Sequence, residues 1–275
     1  MKIYAFADEA SGQMDGQISA MRRNGLDGLE IRNVDGQNIA DISLEKAGEV
    51  RRKLDDAGLT VWSMGSPIGK ISIETEDFAA HLEKLRHVIE LAEVLGAGNL
   101  RMFSFYVPEE RKAEFRGKVM DWTGRMLETA KGSGIALCHE NEKGIYGDNA
   151  ERCRDLLDTF PGMEGIFDPA NFVQCGQDTL EAWKLLGNRI RYLHIKDALA
   201  DGRVVPSGCG TGHVAEILRD FRARGGQAVT VEPHLSVFDG LKDLEQGEKK
   251  TRIDYSYASS DEAFDTACDA LKRLL

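Results

Sequence analysis

The sequence predicts a (β/α)8 barrel, on three observations. The chain has 275 residues, close to the typical length of about 250 for that fold. An apolar, strand-like stretch recurs eight times, and helical sequence follows each one. The first stretch ends in Ala7, Asp8, Glu9 and Ala10 without a glycine-rich turn. An open doubly wound sheet would place its phosphate turn there.

The strands are read in order at residues 3–6, 27–32, 60–64, 99–103, 135–140, 165–168, 190–195 and 228–232. Most are announced by glycine at the end of the preceding helix, as at Gly25, Gly58, Gly96, Gly134 and Gly225. A left-handed turn that ends a helix favours glycine. Between strands three and four, Phe78, Leu82, Leu85, Val88, Ile89, Ala92 and Leu95 repeat at helical spacing. Asp148 and Glu151 are read as a capping pair for the helix that carries Leu156 and Leu157. Val214, Ile217, Leu218 and Phe221 mark the next-to-last helix, and Phe264, Ala267, Leu271 and Leu274 the last. No linker or low-complexity stretch divides the chain, so residues 1–275 are expected to form a single domain.

Composition narrows the function. Aspartate and glutamate number 46 against 35 lysines and arginines, a net charge of −11. Such a surface repels phosphate backbones, which argues against nucleic acid as a partner. No apolar run reaches membrane-spanning length, so no transmembrane helix is expected. The N-terminus reads as a first strand rather than a signal peptide. Five cysteines without a CxxC pair suit reduced thiols in a cytoplasmic protein better than a disulfide framework or a zinc ribbon.

A barrel of this kind carries its site at the C-terminal ends of its strands. Four consecutive strands end in chemistry: His139, Glu140, Asn141 and Glu142; Asp168 to Asn171; His194 to Asp197; and Glu232 to His234. Glu140, Asp168, His194 and Glu232 would converge there. Three carboxylates and an imidazole suit Mn²⁺, Mg²⁺, Co²⁺ or Fe²⁺ better than structural zinc. A divalent cation would also relieve the mutual repulsion of the carboxylates. Taken singly, each acid has an ordinary explanation as a helix cap or a surface ion pair. Four at successive strand ends favour a metal site.

These segments carry a resemblance that runs over essentially the whole chain. Residues 137–141, 167–171, 193–197 and 231–234 look like those of the xylose-isomerase-like TIM barrels, the broad sugar phosphate isomerase/epimerase group. In its ketose 3-epimerases, the corresponding Glu, Asp, His and Glu bind one divalent metal, often manganese, and the two glutamates form an acid/base pair. The resemblance thus implies metal ligation by Glu140, Asp168, His194 and Glu232 and acid/base roles for Glu140 and Glu232. Mn²⁺ is the first expectation, with Mg²⁺, Co²⁺ and Zn²⁺ as alternatives. The substrate would be a small carbohydrate, phosphorylated or not. The group's frequent dimers and tetramers make a homo-oligomer the matching expectation. Many of these epimerases have a substrate-contacting His where this chain has Asn171. An amide donates to a sugar oxygen but takes up no proton at neutral pH.

Further candidates for substrate contact are Lys196, Asn141, His234, Ser66 and Arg101. Lys196 shares a strand face with His194 by alternation and would hold a substrate oxygen or pair with a carboxylate. Asn141 and His234 would orient ligands. Glu142 is the alternative to Glu140. Glu30, Arg32, Lys70 and Ser104 also lie at strand ends, where a structural role is the ordinary one. Residues 207–213 form a glycine-rich loop without a nucleotide-binding pattern. It reads as a flexible loop over the mouth whose N–H groups approach a phosphate or hydroxyl. Cys138 and Cys175 read as buried small hydrophobes, and Trp62 as core, with sugar stacking as its alternative. The rivals are an inosose-type dehydratase on the same metal site, an endonuclease IV-like DNA-repair enzyme and a non-catalytic partner subunit.

Overall fold

The computed structural model describes residues 1–237 and 257–275. The stretch 238–256 of the expected single domain lies outside the described residues. Eight parallel strands close into a barrel: β1 (Lys2–Ala5), β2 (Gly28–Ile31), β3 (Thr60–Met64), β4 (Asn99–Met102), β5 (Ala136–Glu140), β6 (Glu164–Phe167), β7 (Ile190–Ile195) and β8 (Ala228–Val231). Each pairs with its neighbours in sequence, and β8 pairs with β1 to close the ring. Around it lie α1 (Met14–Arg23), α2 (Leu44–Ala57), α3 (Phe78–Leu95), α4 (Lys112–Ala130), α5 (Ala150–Thr159), a short α6 (Pro169–Gln174), α7 (Thr179–Leu186), α8 (Val214–Ala223) and α9 (Ser260–Leu274). Among the described residues, no helix is long and apolar enough to cross a membrane.

The period of two along each strand sorts side chains between two cores. Leu29, Ile31, Leu100, Leu137, Phe167, Leu193, Ile195, Val229 and Val231 face outward into the layer shared with the helices. Their alternates Tyr4, Cys138, Ile166, Tyr192 and Ala228 fill the lower barrel interior with Trp62. Trp62 stacks on Tyr4 at 5.3 Å between centroids. It is therefore part of this plug, at the end away from the strand C-termini, which excludes the sugar-stacking alternative. One or two steps further up the same inward faces come Glu30, Arg101, Glu140, Asp168, His194 and Glu232. The parity that builds the plug also aims the polar residues into the mouth.

Local chemistry fixes the helix ends. Gly58 and Gly96 take φ of 70° and 72° at the ends of α2 and α3, the left-handed conformation in which a side chain is strained. α5 is capped by Asn149, whose side chain accepts the Arg152 N–H. This corrects the expected Asp148–Glu151 pair. Asp148 instead forms ion pairs with Lys112 and Arg152, tying the loop after β5 to α4. Trp122 stacks on Phe78 at 4.2 Å, and Trp183 meets Phe167 edge-on at 5.2 Å, so both pack between elements. Cys138 is buried, whereas Cys175 is half-buried.

Candidate metal centre at the barrel mouth

Glu140, Asp168, His194 and Glu232 meet at the C-terminal mouth, all buried, with one potential ligand atom from each lying within 4.8 Å of the others. β5 delivers Glu140 as its last residue. Asp168 and Glu232 directly follow β6 and β8, and His194 lies on β7. His194 Nδ1 lies 2.8 Å from Glu140 Oε1 and 3.6 Å from Glu232 Oε2. The two glutamates thus flank one imidazole nitrogen.

The surroundings orient each member. His194 Nε2 lies 3.0 Å from Glu30 Oε2. Glu30 Oε1 accepts in turn from the Tyr192 hydroxyl at 2.8 Å. Phe6 meets the imidazole edge-on at 5.2 Å. Asp168 caps α6, its Oδ1 accepting the Asn171 N–H at 3.1 Å. Asn141 clasps the Asp168 backbone: its Oδ1 accepts the Asp168 N–H and its Nδ2 donates to the Asp168 carbonyl, both at 2.9 Å. Asn171 Nδ2 donates back to the Asn141 carbonyl at 2.9 Å.

Three cations stand among the carboxylates. Arg101 Nη1 donates to Glu140 Oε2 at 3.2 Å. Lys196 Nζ donates to Glu232 Oε2 at 2.8 Å and lies 2.7 Å from Asp168 Oδ2. Arg32 binds Asp8 at 2.8 Å and Glu9 at 3.1 Å, and approaches Glu232 at 3.5 Å. Asp8, Glu9, Glu30, Glu140, Asp168 and Glu232 therefore outnumber Arg32, Arg101 and Lys196, with every one of these side chains buried.

This imbalance shifts the titrations. Burial pushes Asp168 up to about 7; Lys196 opposes the shift, while Glu232 and Glu140 reinforce it. Burial also raises the Glu232 carboxyl, but Lys196, His234 and His194 outweigh it and hold this group well below the usual range. One ammonium shared between two carboxylates cannot balance both. Burial disfavours an imidazolium, yet Glu140 and Glu30 together hold His194 well above its ordinary value. Glu9 rises to about 8, chiefly through burial.

The donor set fits a divalent cation. Asp168 Oδ2 is a buried oxygen that accepts no hydrogen bond, because Lys196 lies close without the alignment of one. Its counter-charge is the Lys196 ammonium, which is shared with Glu232, and a further cation would offset the carboxylates that this leaves unbalanced. Three oxygens and one nitrogen, with no sulfur, suit Mn²⁺, Mg²⁺, Co²⁺ or Zn²⁺. Glu30, on the remote nitrogen of His194, leaves Nδ1 facing Glu140 and Glu232, an arrangement that suits an imidazole able to bind a metal.

The other expected residues divide. Asn141, Asn171, Lys196 and Arg101 stand in or against the cluster. His234 stands beside it: its N–H donates to Glu9 Oε2 at 2.6 Å, and its Nε2 lies 3.6 Å from Glu232 Oε1. It holds φ at 46°, a conformation that side chains rarely adopt. Ser66 does not join them. Its hydroxyl donates to the Arg101 carbonyl at 2.6 Å and accepts from Ile68 N–H, so it serves the backbone. Glu142 pairs with Lys70 at 3.0 Å, outside the cluster. The glycine-rich loop turns three N–H groups onto the Asp197 carboxylate, from Gly208, Gly210 and Gly212, each at 2.9 Å. The expected approach to a phosphate or hydroxyl is corrected: those donors are engaged by the protein itself.

Sequence reasoning missed Glu9 and the pairing of Glu30 with His194. Strand parity puts Glu30, already named with Arg32 at the end of its strand, on the inward face that His194 shares. It could not have found Glu9, which follows β1 on a 3-10 turn, Ala7–Glu9, where alternation no longer applies.

Comparison with known proteins agrees with this fold. D-allulose 3-epimerase from Methylomonas sp., solved in complex with D-allulose, superposes with a TM-score of 0.73 at 17% identity, covering 100% of this chain and 97% of that one. The probable 3-DHS dehydratase AsbF from Bacillus anthracis gives 0.71 at 15% identity, covering 99% of each. A xylose isomerase-like protein from Mycobacterium smegmatis, in complex with magnesium, gives 0.69 at 18% identity, covering 94% of this chain and 87% of that one. No curated protein sequence matches. Residues 18–254 match the family described as Xylose isomerase-like TIM barrel. The chain belongs to that family.

Proposed function

We propose that the protein is a divalent-metal-dependent isomerase or epimerase of a small carbohydrate, with Glu140 and Glu232 as its acid/base pair. The observation that carries this reading is the pair itself. Two buried glutamates from strands three steps apart reach the same imidazole nitrogen, with Asp168 alongside. Glu140, Asp168, His194 and Glu232 would hold the metal, Mn²⁺ first, which supplies Lewis-acid stabilisation of negative charge on a substrate oxygen.

The protein's own groups account for the proton traffic. Epimerising a keto sugar removes a proton alpha to its carbonyl and returns one to the opposite face; isomerising returns it to the adjacent carbon. Epimerisation calls for two groups on different sides of the substrate, the roles proposed for Glu140 and Glu232, which come from strands three steps apart. Lys196 on Glu232 favours the ionised carboxylate, the form that accepts a proton, while Arg101 donates a hydrogen bond to Glu140. Lys196 would donate to a substrate oxygen, and Asn171, whose Nδ2 is held by the Asn141 carbonyl, would accept from a substrate hydroxyl through Oδ1. Asn141, clasping the Asp168 backbone, and Glu30, on His194, would keep both ligands in place.

The test is solvent exchange. The Mn²⁺-loaded protein is incubated in D₂O with a panel of ketoses and inososes, and deuterium at the alpha carbon is followed by NMR. Exchange by wild type, abolished in Glu140→Gln and Glu232→Gln, is the expected result. Release of water in place of exchange into a recovered sugar would assign the same pair to dehydration. No reaction across the panel would sink the carbohydrate reading.

A further inference from the structure

We infer that Tyr192 and Ser63 are positioning residues for the metal centre: two strand irregularities turn them under Glu30, and through Glu30 they fix the imidazole of His194. Their effect on a metal depends on the ligand set proposed above. The strand geometry that places them does not.

Two pairings in the described barrel shift register. Between β2 and β3, Leu29 lies opposite Val61 but Glu30 lies opposite Ser63, so Trp62 is an extra residue. Between β6 and β7, Gly165 lies opposite Ile190 but Ile166 lies opposite Tyr192, so Arg191 is extra. A bulge of this kind re-aims the side chains beside it, and bulges gather next to active sites. Val61 faces outward into the helix layer, so strict alternation would send Ser63 outward as well. The bulge turns Ser63 into the barrel next to Trp62, where its Oγ lies 3.0 Å from the Tyr192 hydroxyl. After it, Met64 is back in the outer layer. At the second bulge, Tyr192 is set facing inward with Ile166.

A column results, Ser63–Tyr192–Glu30–His194, and all four side chains are buried. Its hydrogen bonds have a direction. An ionised carboxylate only accepts. Glu30 Oε2 therefore takes the Nε2 proton of His194 at 3.0 Å, and Oε1 takes the Tyr192 hydroxyl proton at 2.8 Å. Tyr192 has no second proton to give, so Ser63 donates to the phenol oxygen. Held on both oxygens, the Glu30 carboxylate cannot turn away from the imidazole. The Tyr192 ring supplies a further hold, with its centroid 5.6 Å from that of His194 and 5.9 Å from that of Trp62. The plug thus seats the candidate ligand. A phenylalanine at position 192 would fill the same space and leave one Glu30 oxygen without its donor.

Two arms test this on the full chain. In the first, Mn²⁺ affinity is measured by chelator competition for wild type, Tyr192→Phe, Glu30→Gln and the double variant. Tyr192→Phe should weaken binding by about threefold to tenfold, less than the loss of about 10–100-fold expected for Glu30→Gln. In the Glu30→Gln background the same substitution should change affinity by less than about twofold, because the group it acts through is gone. An unchanged affinity in Tyr192→Phe, or an equal loss in both backgrounds, overturns the inference. Ser63→Ala replaces Tyr192→Phe if that variant does not fold. The second arm needs no metal. In metal-free protein carrying nitrogen-labelled histidine, the His194 Nε2 proton should give a slowly exchanging, far-downfield NMR signal that Glu30→Gln removes. Tyr192→Phe should move it further downfield, since Glu30 then accepts from His194 alone. No such signal in wild type, or one that Tyr192→Phe leaves in place, overturns the inference. If wild type binds no Mn²⁺, the metal reading fails, and the NMR signal still judges Tyr192.

Discussion

Glu30 Oε2 and His194 Nε2 lie 3.0 Å apart across the barrel, joining β2 to β7 above the plug. This contact leaves the opposite nitrogen, Nδ1, facing Glu140 and Glu232. Removing a carboxylate that orients a ligating imidazole typically costs about 10–100-fold in metal affinity. Glu30→Gln should weaken Mn²⁺ binding by that factor in a competition titration against a fluorescent chelator. Unchanged affinity would mean that His194 is oriented by Phe6 and Tyr192 alone, or that it is not a ligand.

Lys196 competes with any metal for two of the four expected ligands. Its ammonium lies 2.7 Å from Asp168 Oδ2 and 2.8 Å from Glu232 Oε2. Two cations within a few ångströms repel even at an effective dielectric of about 20. Lys196→Met should therefore raise Mn²⁺ affinity by about tenfold or more while lowering turnover, because a donor to substrate oxygen is lost. The same chelator competition reads the first effect. Weaker metal binding in the variant would contradict this account of the pair.

Metal binding should strengthen as pH rises. Burial places Asp168 at about 7 in the protein without metal, and His194 is held well above its ordinary value by Glu140 and Glu30. A protonated carboxyl or imidazolium must lose its proton before it can ligate. Below pH 7, Asp168 alone should cost about tenfold in affinity per pH unit, and His194 steepens the dependence. Titrations between pH 5.5 and pH 8 should show proton release on binding. A flat profile would remove both residues from the ligand set.

Arg32 should matter for stability more than for chemistry. It is buried against Asp8 at 2.8 Å and Glu9 at 3.1 Å, with Phe6 under its guanidinium at 4.4 Å. Breaking such a pair from one side leaves buried carboxylates uncompensated, at about 3–5 kcal/mol. Arg32→Met should lower Tm by roughly 10 °C in a calorimetric scan. Arg32→Lys should recover little of that, because an ammonium lacks the forked donors that reach two acids at once.

Strand parity made much of this site legible. Glu140, Asp168, His194 and Glu232 fall on the inward alternation of four successive strands, and the barrel brings inward residues together whatever their distance in sequence. What parity does not govern stayed hidden. Glu9 follows a 3-10 turn, so its direction is set by Arg32 and the His234 backbone, 23 and 225 residues away. The partner of Glu30 is 164 residues distant. The loop at 207–213 showed its glycines but not what they close upon, since a nest reads alike whether its anion comes from a ligand or from Asp197. Asp148 and Asn149 are both competent caps, and the choice went to Asn149 because Lys112 and Arg152 hold Asp148.

Metal stoichiometry decides whether Glu140, Asp168, His194 and Glu232 form a metal site. The purified protein, incubated with Mn²⁺ and desalted, is measured by elemental analysis beside Glu232→Gln and His194→Ala. One tightly held divalent ion per wild-type chain is expected, with a marked loss in both variants and folding intact by circular dichroism. Wild-type protein with no metal above background would contradict it, as would variants that retain the full equivalent.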